Sequence, residues 1–306
     1  MHCGIKFKAS LLHPKYFLSW VGVGLFSLIS LLPTSARHAI GRKIGERIYY
    51  KKSKRYNTVN TNLEIAFPKL KTAEREALIR QHLQWYGCAL VDYSLLFFAS
   101  KPRLKSMLRI EGQEYIDSAV KQDQPVMILL AHSVMLEFGP AALGYDFECF
   151  GSYKTSKNAL LDWLIAKSRC RHVSFVVSRE AGLRKLVKSL EPGKVMIFLP
   201  DEDLGSDNAV FVPFFGKDKA TLTTTARIAK MTKAVALPAF SWYDLESKQY
   251  VLKILPPLKN YPSKDKEQDA EALNQSLEML IKQHPEQYMW LMKWYKTRPN
   301  NDASVY

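Results

Sequence analysis

The chain has 306 residues, of which 47% are hydrophobic, so it is long and apolar enough to bury a substantial core and is not a disordered chain. Its 44 Lys and Arg residues outnumber 29 Asp and Glu, and the formal charge of +15 indicates an anionic partner: nucleic acid, an anionic membrane surface, or a phosphorylated or acidic-protein substrate. The four cysteines show neither C-x-x-C nor paired metal-ligand spacing, which argues against a zinc ribbon or a disulfide framework and favours a reducing, cytoplasmic environment.

The first predicted element is an apolar helix near the N-terminus. Residues 16–32, YFLSWVGVGLFSLISLL, contain no charge. At about 1.5 Å per residue this helix reaches roughly 26 Å, so it either spans a ~30 Å hydrocarbon core with little tilt or lies partly embedded. A signal peptide is the alternative, but the following PTSARHAIGRK is a poor match to a small-residue cleavage site. We therefore predict a membrane anchor over residues 1–35 and one folded domain over residues 36–306.

The basic residues around this anchor predict its orientation. Only Lys6, Lys8 and Lys15 precede it, whereas eight Lys and Arg residues follow it between positions 37 and 55. The positive-inside rule then places the body of the protein in the cytoplasm. The run 37–55 is either a solvated helix face or a surface that rests on anionic headgroups.

Downstream of the anchor, the hydrophobic pattern predicts an α/β domain. Residues 72–98 form a long helix, and after it short apolar runs bounded by turn residues alternate with helical patterns. This alternation predicts a mostly parallel central sheet with helices on both faces. The predicted strands are 125–131, 147–153, 173–177, 194–200, 234–242 and 250–257, and the predicted helices between and after them are 159–169, 180–190, 221–231 and 267–283.

His132 follows the buried strand PVMILLA directly, at the carboxyl edge where α/β sheets gather catalytic groups. Glu137 lies five residues further on. On one continuous helix the two would point about 140° apart, so they meet only if His132 lies on the turn before a helix that contains Glu137. A Glu137 carboxylate that accepts Nδ1–H would leave Nε2 free to take a proton from an alcohol. The alternative is a satisfied core histidine and an exposed glutamate.

Two further constellations lie near the ends of predicted strands. Asp201 and Asp203 are metal ligands, orienting groups for a basic partner, or turn caps, and a magnesium site has little support without a neighbouring His or Cys. The apolar run 210–215, with Phe211 and Phe214, is an ordinary strand and turn or a wall for a hydrophobic substrate.

Three basic residues, Lys154, Lys157 and Arg169, flank the helix 159–169. They are either solvated or, if they face the same edge as His132, a phosphate-binding patch.

Taken in order, the motifs carry a resemblance to a known family. The sequence resembles the lipid A late acyltransferases (lauroyl and myristoyl transferases), in the lysophospholipid acyltransferase-like superfamily with an H-x-x-x-x-D/E motif. Besides the anchor, the matching segments are NLEIAFPKLKTAERE (62–76), AHSVMLEFG (131–139), YKTSKNALLDWLIAKSR (153–169), PDEDLG with VFVPFFG, and HPEQYMWLMKWYKTRP (284–299).

The resemblance implies a glycerolipid-acyltransferase-like fold and an inner-membrane enzyme of a Gram-negative bacterium. Such an enzyme moves a fatty acyl chain from acyl carrier protein to a hydroxyl of a Kdo-bearing lipid A precursor, with no cofactor, no metal and no nucleic acid. It implies that His132 is the general base and Glu137 its orienting partner, and that Arg169 and Asp201 occupy further positions associated with activity. Family members often have an aromatic residue and a threonine where this chain has residues 133–135, a difference that bears on acceptor and chain preference.

Two competing interpretations use the same residues differently. A non-catalytic, membrane-tethered binder of anionic lipid or nucleic acid would use the +15 charge and give His132 no special role. A hydrolase of the Ser-His-acid type is disfavoured because the sequence has no G-x-S-x-G elbow.

Overall fold

The structure is a computed structural model that describes residues 6–306; the first five residues of the predicted anchor, with Cys3, lie outside this range. The strands are β1 Leu108–Glu111, β2 Val126–Leu130, β3 Glu148–Tyr153, β4 Phe175–Ser178, β5 Lys194–Phe198, β6 Ala209–Phe214, β7 Lys217–Leu222, β8 Val235–Asp244 and β9 Gln249–Ile254. The α-helices are α1 Phe17–Leu31, α2 Thr34–Tyr50, α3 Lys54–Ala66, α4 Thr72–Phe98, α5 Lys101–Ser106, α6 Gln113–Lys121, α7 Phe138–Leu143, α8 Ala159–Arg169, α9 Arg184–Ser189, α10 Thr224–Thr232 and α11 Lys266–Ile281.

A seven-stranded sheet, in the order β1-β9-β8-β2-β5-β3-β4, forms the centre of the fold. All of its neighbouring pairs are parallel except β8 with β9, which confirms the predicted α/β class and mostly parallel sheet. Strand β2 is central and buried along its whole length, as expected for a run of Val, Met, Ile and Leu with no polar side chain. The carboxyl ends of β2 and β5 therefore lie side by side.

Side chains of the sheet alternate between two cores. Met127 and Leu129 of β2 join a large core to which α3, α4, α9, α10 and α11 contribute. Val126, Ile128 and Leu130 of the same strand point into a second core with α6 and α7. Helices therefore cover both faces, as predicted, and the edge at which the site lies is held from both sides.

Helix α1 lies against the domain along one face. Trp20 packs on Trp163 of α8, with 6.5 Å between ring centroids, and Phe26 packs on Phe97 of α4 at 5.7 Å. Within the described residues, Pro14–Leu31 is the one segment long and apolar enough to cross a membrane, a test that a signal sequence also meets. Its opposite face exposes Phe17, Leu18, Val21, Leu25 and Leu28.

Helices α2 and α4 pack backbone to backbone. A Cβ added to Gly41 would lie 2.4 Å from the Cα of Cys88, so glycine is required at this crossing. Asp92 of α4 accepts one hydrogen bond of 2.8 Å from Arg37 Nε and pairs with His38 Nε2 at 2.8 Å, and all three residues are buried. Arg37 begins the run 37–55, for which we expect either a solvated helix face or a surface on anionic headgroups; its burial and its carboxylate partner instead make it an internal contact.

The apolar run 210–215 is an ordinary strand followed by a turn. It forms β6, which pairs antiparallel with β7 in a hairpin separate from the main sheet. Phe214 is completely buried in the large core, whereas Phe211 is half-buried.

The cysteines depart from the expectation of a chain without disulfides. Cys88 and Cys149 are free and buried, but Cys170 is disulfide-bonded. Sequence spacing did not indicate this bond.

Candidate active site

His132 is paired with Asp201. The ring Nδ1 of His132 lies 2.6 Å from Asp201 Oδ1, and the His132 backbone N–H donates to Asp201 Oδ2 at 2.8 Å. Strand β2 delivers His132 and its neighbour β5 delivers Asp201, because the two parallel strands end at the same edge. An ionised carboxylate only accepts hydrogen bonds, so Nδ1 carries the proton and Nε2 has a free lone pair.

The predicted contact between His132 and Glu137 is wrong in this structure. Glu137 lies at the N-terminus of α7, where both of its carboxylate oxygens accept hydrogen bonds from the guanidinium of Arg169. The chain from His132 to Glu137 is a turn, as the spacing argument required, but this turn directs the glutamate toward α8. Asp201 takes the orienting position instead.

Several donors keep Asp201 ionised although it is 1% exposed. Burial acts to raise the pKa of this carboxyl, but the interaction with His132, through its ring and its backbone N–H, and the charge of Lys219 outweigh burial, so the pKa lies below its ordinary value. The hydroxyl of Tyr288 adds a third hydrogen bond, 3.0 Å to Oδ2. The carboxylate is thus fixed in one orientation beside the imidazole.

Tyr288 belongs to the C-terminal segment, which closes over the His132 turn. Met289 N donates to the His132 carbonyl at 3.1 Å, and Val134 N donates to the Gln287 carbonyl at 2.8 Å. The ring of Trp294 lies 5.8 Å from that of His132. Sequence reasoning marked this segment only as part of the resemblance; the role of Tyr288 was missed because spacing carries no signal for it.

Asp203 has a different function in the loop. Its carboxylate accepts hydrogen bonds of 2.7 and 2.6 Å from the backbone N–H and hydroxyl of Thr297, and one of 3.1 Å from Gly205 N. Of the alternatives for the two aspartates, Asp203 is a loop cap and Asp201 orients a basic partner. Within residues 6–306, no three His, Cys, Asp or Glu side chains are arranged to hold a metal ion.

Glu137 and Arg169 lie where an apolar groove meets an inner cavity. The groove has a volume of about 660 Å³ and runs between α1, α4 and α8, lined by Gly22, Leu90 and Leu161 among others. The inner cavity, of about 70 Å³, lies beneath α7 and α8, and the ion pair lines both spaces. Burial alone would lower the pKa of Arg169, but the charge of Glu137 raises it above its ordinary value, so the guanidinium stays charged.

The other residues predicted to contact the substrate do not line the groove or the inner cavity, except Arg169. Lys154 and Lys157 are exposed on the loop between β3 and α8, while the guanidinium of Arg169 is engaged by Glu137. Phe211 and Phe214 line neither the groove nor the inner cavity. His132 lines neither space, and its side chain is 11% exposed. The substrate roles of these four lysine and phenylalanine residues stay predictions.

A histidine with a free Nε2, held by a buried carboxylate, is equipped to act as a general base toward a hydroxyl. The sequence profile of one protein family, described as bacterial lipid A biosynthesis acyltransferase, matches residues 5–297. The chain belongs to this family. It is 32% identical to the lipid A biosynthesis lauroyltransferase of Escherichia coli (strain K12), over 302 residues that cover 98% of each chain. It is 30% identical to the palmitoleoyltransferase of the same organism, again over 98% of each, and 27% identical to its myristoyltransferase, over 98% of this chain and 94% of the relative.

The family membership confirms the resemblance drawn from the motifs. The chain is an O-acyltransferase of lipid A biosynthesis from a Gram-negative bacterium, and its substrate is a lipid A precursor. The non-catalytic binder and the Ser-His-acid hydrolase are thereby ruled out as its main activity. Together with the apolar helix α1, the family indicates that this acyltransferase associates with a membrane.

Proposed function

We propose that this acyltransferase moves a fatty acyl chain from acyl carrier protein to a hydroxyl of a Kdo-bearing lipid A precursor, with His132 as general base. The observation that carries the proposal is the hydrogen bond of 2.6 Å between His132 Nδ1 and Asp201. It leaves Nε2 as the free basic atom at the carboxyl edge of the sheet. Asp201 replaces Glu137 as the orienting partner.

Acyl transfer needs one proton to move from the lipid hydroxyl to the departing thiol, and His132 alone can carry it. Nε2 takes the proton of the lipid hydroxyl while the oxygen attacks the thioester carbonyl carbon, and the oxyanion is stabilised by backbone N–H groups or a cation. The carbon–sulfur bond then breaks, and the departing thiolate takes the proton from Nε2. The products are an ester and a free thiol, without an acyl-enzyme.

Charge and location support the choice of donor and acceptor. A chain with a formal charge of +15 attracts both an acidic carrier protein and a phosphorylated lipid. The exposed apolar face of α1 suits residence in the inner membrane, and the excess of basic residues after this helix favours a catalytic domain on the cytoplasmic side. The division into an anchor (1–35) and an acyltransferase domain (36–306) stays part of this proposal.

A transfer assay with purified protein in lipid vesicles tests the substrates. We expect ester formation with acyl carrier protein thioester and a Kdo-bearing precursor, and at least about tenfold lower kcat/KM with the acyl-coenzyme A thioester or with a precursor lacking Kdo, because each lacks part of the charge complementarity. Mass spectrometry of the product identifies the chain and its position. Equal rates with both donors and both acceptors would contradict the proposal.

We further propose that the groove between α1, α4 and α8 holds the acyl chain of the donor. Gly22 of α1 lines this groove, and a Cβ added there would meet no atom within 4 Å. Gly24, two residues along the same helix, also has open space around an added Cβ but does not line the groove. The two glycines therefore form a matched pair.

Gly22→Leu is expected to shorten the preferred donor chain by two or more carbons and to lower kcat/KM for the original chain by about tenfold, since a methylene in an apolar pocket is worth about 1–3 kcal/mol. Gly24→Leu is expected to keep the parent profile. The measurement is kcat/KM across donors of increasing chain length. If the two variants have identical chain-length profiles, the groove does not hold the acyl chain of the donor.

A further inference from the structure

A cleft with a volume of about 310 Å³ lies at the carboxyl edge of the sheet, between the ends of β4 and β5, helix α9 and the base of the β6–β7 hairpin. Ser152 and Leu199 line both this cleft and the inner cavity. In the same way, Glu137 and Arg169 line both the inner cavity and the apolar groove. The three spaces therefore adjoin one another in a row. The acyl chain proposed for the groove does not account for the cleft.

The cleft also lies beside the catalytic pair. Two of its lining residues, Leu199 and Glu202, flank Asp201 in the chain. Asp201 Oδ1 lies 2.6 Å from Nδ1 of His132. A ligand that extends from the inner cavity into the cleft therefore passes Leu199, two residues before the carboxylate that orients the base.

The lining of the cleft differs in chemistry from that of the groove. The groove is lined mostly by apolar side chains of α1, α4 and α8, which suit a hydrocarbon chain. In the cleft, leucine side chains such as Leu186 and Leu204 stand among hydroxyl and amide side chains, those of Ser178, Asn208 and Thr224. This mixture suits a chain in which methylene groups alternate with amide groups, because the amides find hydrogen-bond partners and the methylenes find apolar surface.

Exposed cations surround the mouth of the cleft. Arg179 lines it and donates a hydrogen bond of 2.7 Å to Glu202, which lines it too. Helix α9 contributes Leu186 to the lining and exposes three cations to solvent: Arg184, Lys185 and Lys188. Asp207 adds a second carboxylate at the exposed rim. The cations match a ligand that ends in a phosphate and is attached to an acidic protein.

We propose that the cleft binds the pantetheine arm of the acyl donor, with the phosphate end of the arm toward α9. The proposal rests on the proposed function, since it assigns a second part of the same thioester donor. In an acyl thioester, the hydrocarbon chain and the amide-containing arm extend from opposite sides of the carbonyl–sulfur bond. A donor whose chain lies in the groove therefore directs its arm away from the groove, and the cleft adjoins the inner cavity on that far side.

Gly182 and Gly193 form a matched pair for the test. Gly182 lines the cleft, whereas Gly193 immediately precedes β5, at the opposite edge of the sheet. Their φ angles are +78° and +74°, and a Cβ added to either glycine would meet no atom within 4 Å. A side chain therefore strains the two backbones to a similar extent, and only Gly182→Leu places new atoms in the cleft.

The measurement is kcat and KM with three donors that carry the same acyl chain: its thioesters with acyl carrier protein, with pantetheine and with N-acetylcysteamine, which lacks the outer amide of the arm. We expect Gly182→Leu to raise KM for the first two donors by about tenfold over Gly193→Leu, because the arm loses both apolar and hydrogen-bonding contacts. The N-acetylcysteamine donor should change by less than about twofold, since it does not reach the outer part of the cleft. KM for the lipid acceptor should stay at the Gly193→Leu value.

Three outcomes would overturn the proposal: equal KM values of the two glycine variants for the pantetheine thioester, an equal loss with the N-acetylcysteamine donor, or a rise only in KM for the lipid acceptor. If Gly182→Leu does not fold, Leu204→Ala takes its place and should raise KM for the pantetheine thioester about fivefold, through lost apolar contact. Leu204 is an exposed leucine of the cleft, and Leu245→Ala, at a similarly exposed leucine of the β8–β9 turn, is its control.

The parent enzyme separates this proposal from the proposed function. A parent that transfers no acyl chain from acyl carrier protein contradicts the proposed function. A parent that does so, with a Gly182→Leu variant that behaves like Gly193→Leu, contradicts only the role of the cleft.

Discussion

Replacing His132 with alanine is expected to lower kcat/KM for acyl transfer by at least about 100-fold, the lower range for removal of a general base. Asp201 Oδ1 lies 2.6 Å from Nδ1 of His132 and holds the imidazole with Nε2 free to take the proton of the hydroxyl. Alanine removes this base. The measurement is the initial rate of ester formation with acyl carrier protein thioester and lipid A precursor, at several concentrations of each.

His284→Ala is the matched control for this prediction. His284 stacks on Trp242 at 4.5 Å between ring centroids, in the C-terminal segment that also holds Tyr288, so its loss reports on packing near the site. Glu137→Ala should lose less than His132→Ala, because Glu137 holds Arg169 and does not touch the imidazole. If the His132→Ala enzyme is folded and as active as the His284→Ala control, His132 is not the general base.

The sequence predicted the main helices and the central strand more accurately than it predicted the contacts of His132. Periodicity predicted α4 and α8 with the observed bounds, 72–98 and 159–169, because both helices have long apolar faces and clear ends. The run before His132 likewise predicted a buried strand that ends at the histidine. These features depend on local sequence, which determines them through hydrogen bonding and burial alone.

The partner of His132 depends on the order of the strands, which local sequence does not contain. Glu137 is five positions away and looked favourable, whereas Asp201 is 69 positions away and approaches because β5 lies beside β2. Nothing in the run 217–222, KDKATL, indicates that Lys219 is buried, since three consecutive charged residues also describe an exposed strand. The sequence thus predicts His132 and the edge of the sheet at which the site lies, but it does not predict which charged side chains surround the imidazole.

Asp201→Asn is expected to cause the second large loss, on the order of 1,000-fold, although the two side chains have almost the same shape. Two donors, the His132 backbone N–H and the Tyr288 hydroxyl, converge on Oδ2. The amide oxygen must therefore occupy the Oδ2 position, which leaves the NH₂ group facing Nδ1. An NH₂ group only donates, so the imidazole is forced into the tautomer that carries its proton on Nε2. The same tautomer error costs about 10⁴ in a serine protease.

Asp203→Asn is the control that separates this tautomer effect from a general disturbance of the loop. Asp203 lies two residues further along and accepts from Thr297 and Gly205, without contact to His132. Its replacement should reduce thermal stability, through a weakened loop cap, and leave kcat/KM within about tenfold of the parent. In ¹⁵N NMR spectra the imidazole of His132 should change from the Nδ1–H to the Nε2–H form in Asp201→Asn alone. An Asp201→Asn enzyme no slower than Asp203→Asn, or one that retains the Nδ1–H form, would show that Asp201 does not set the tautomer.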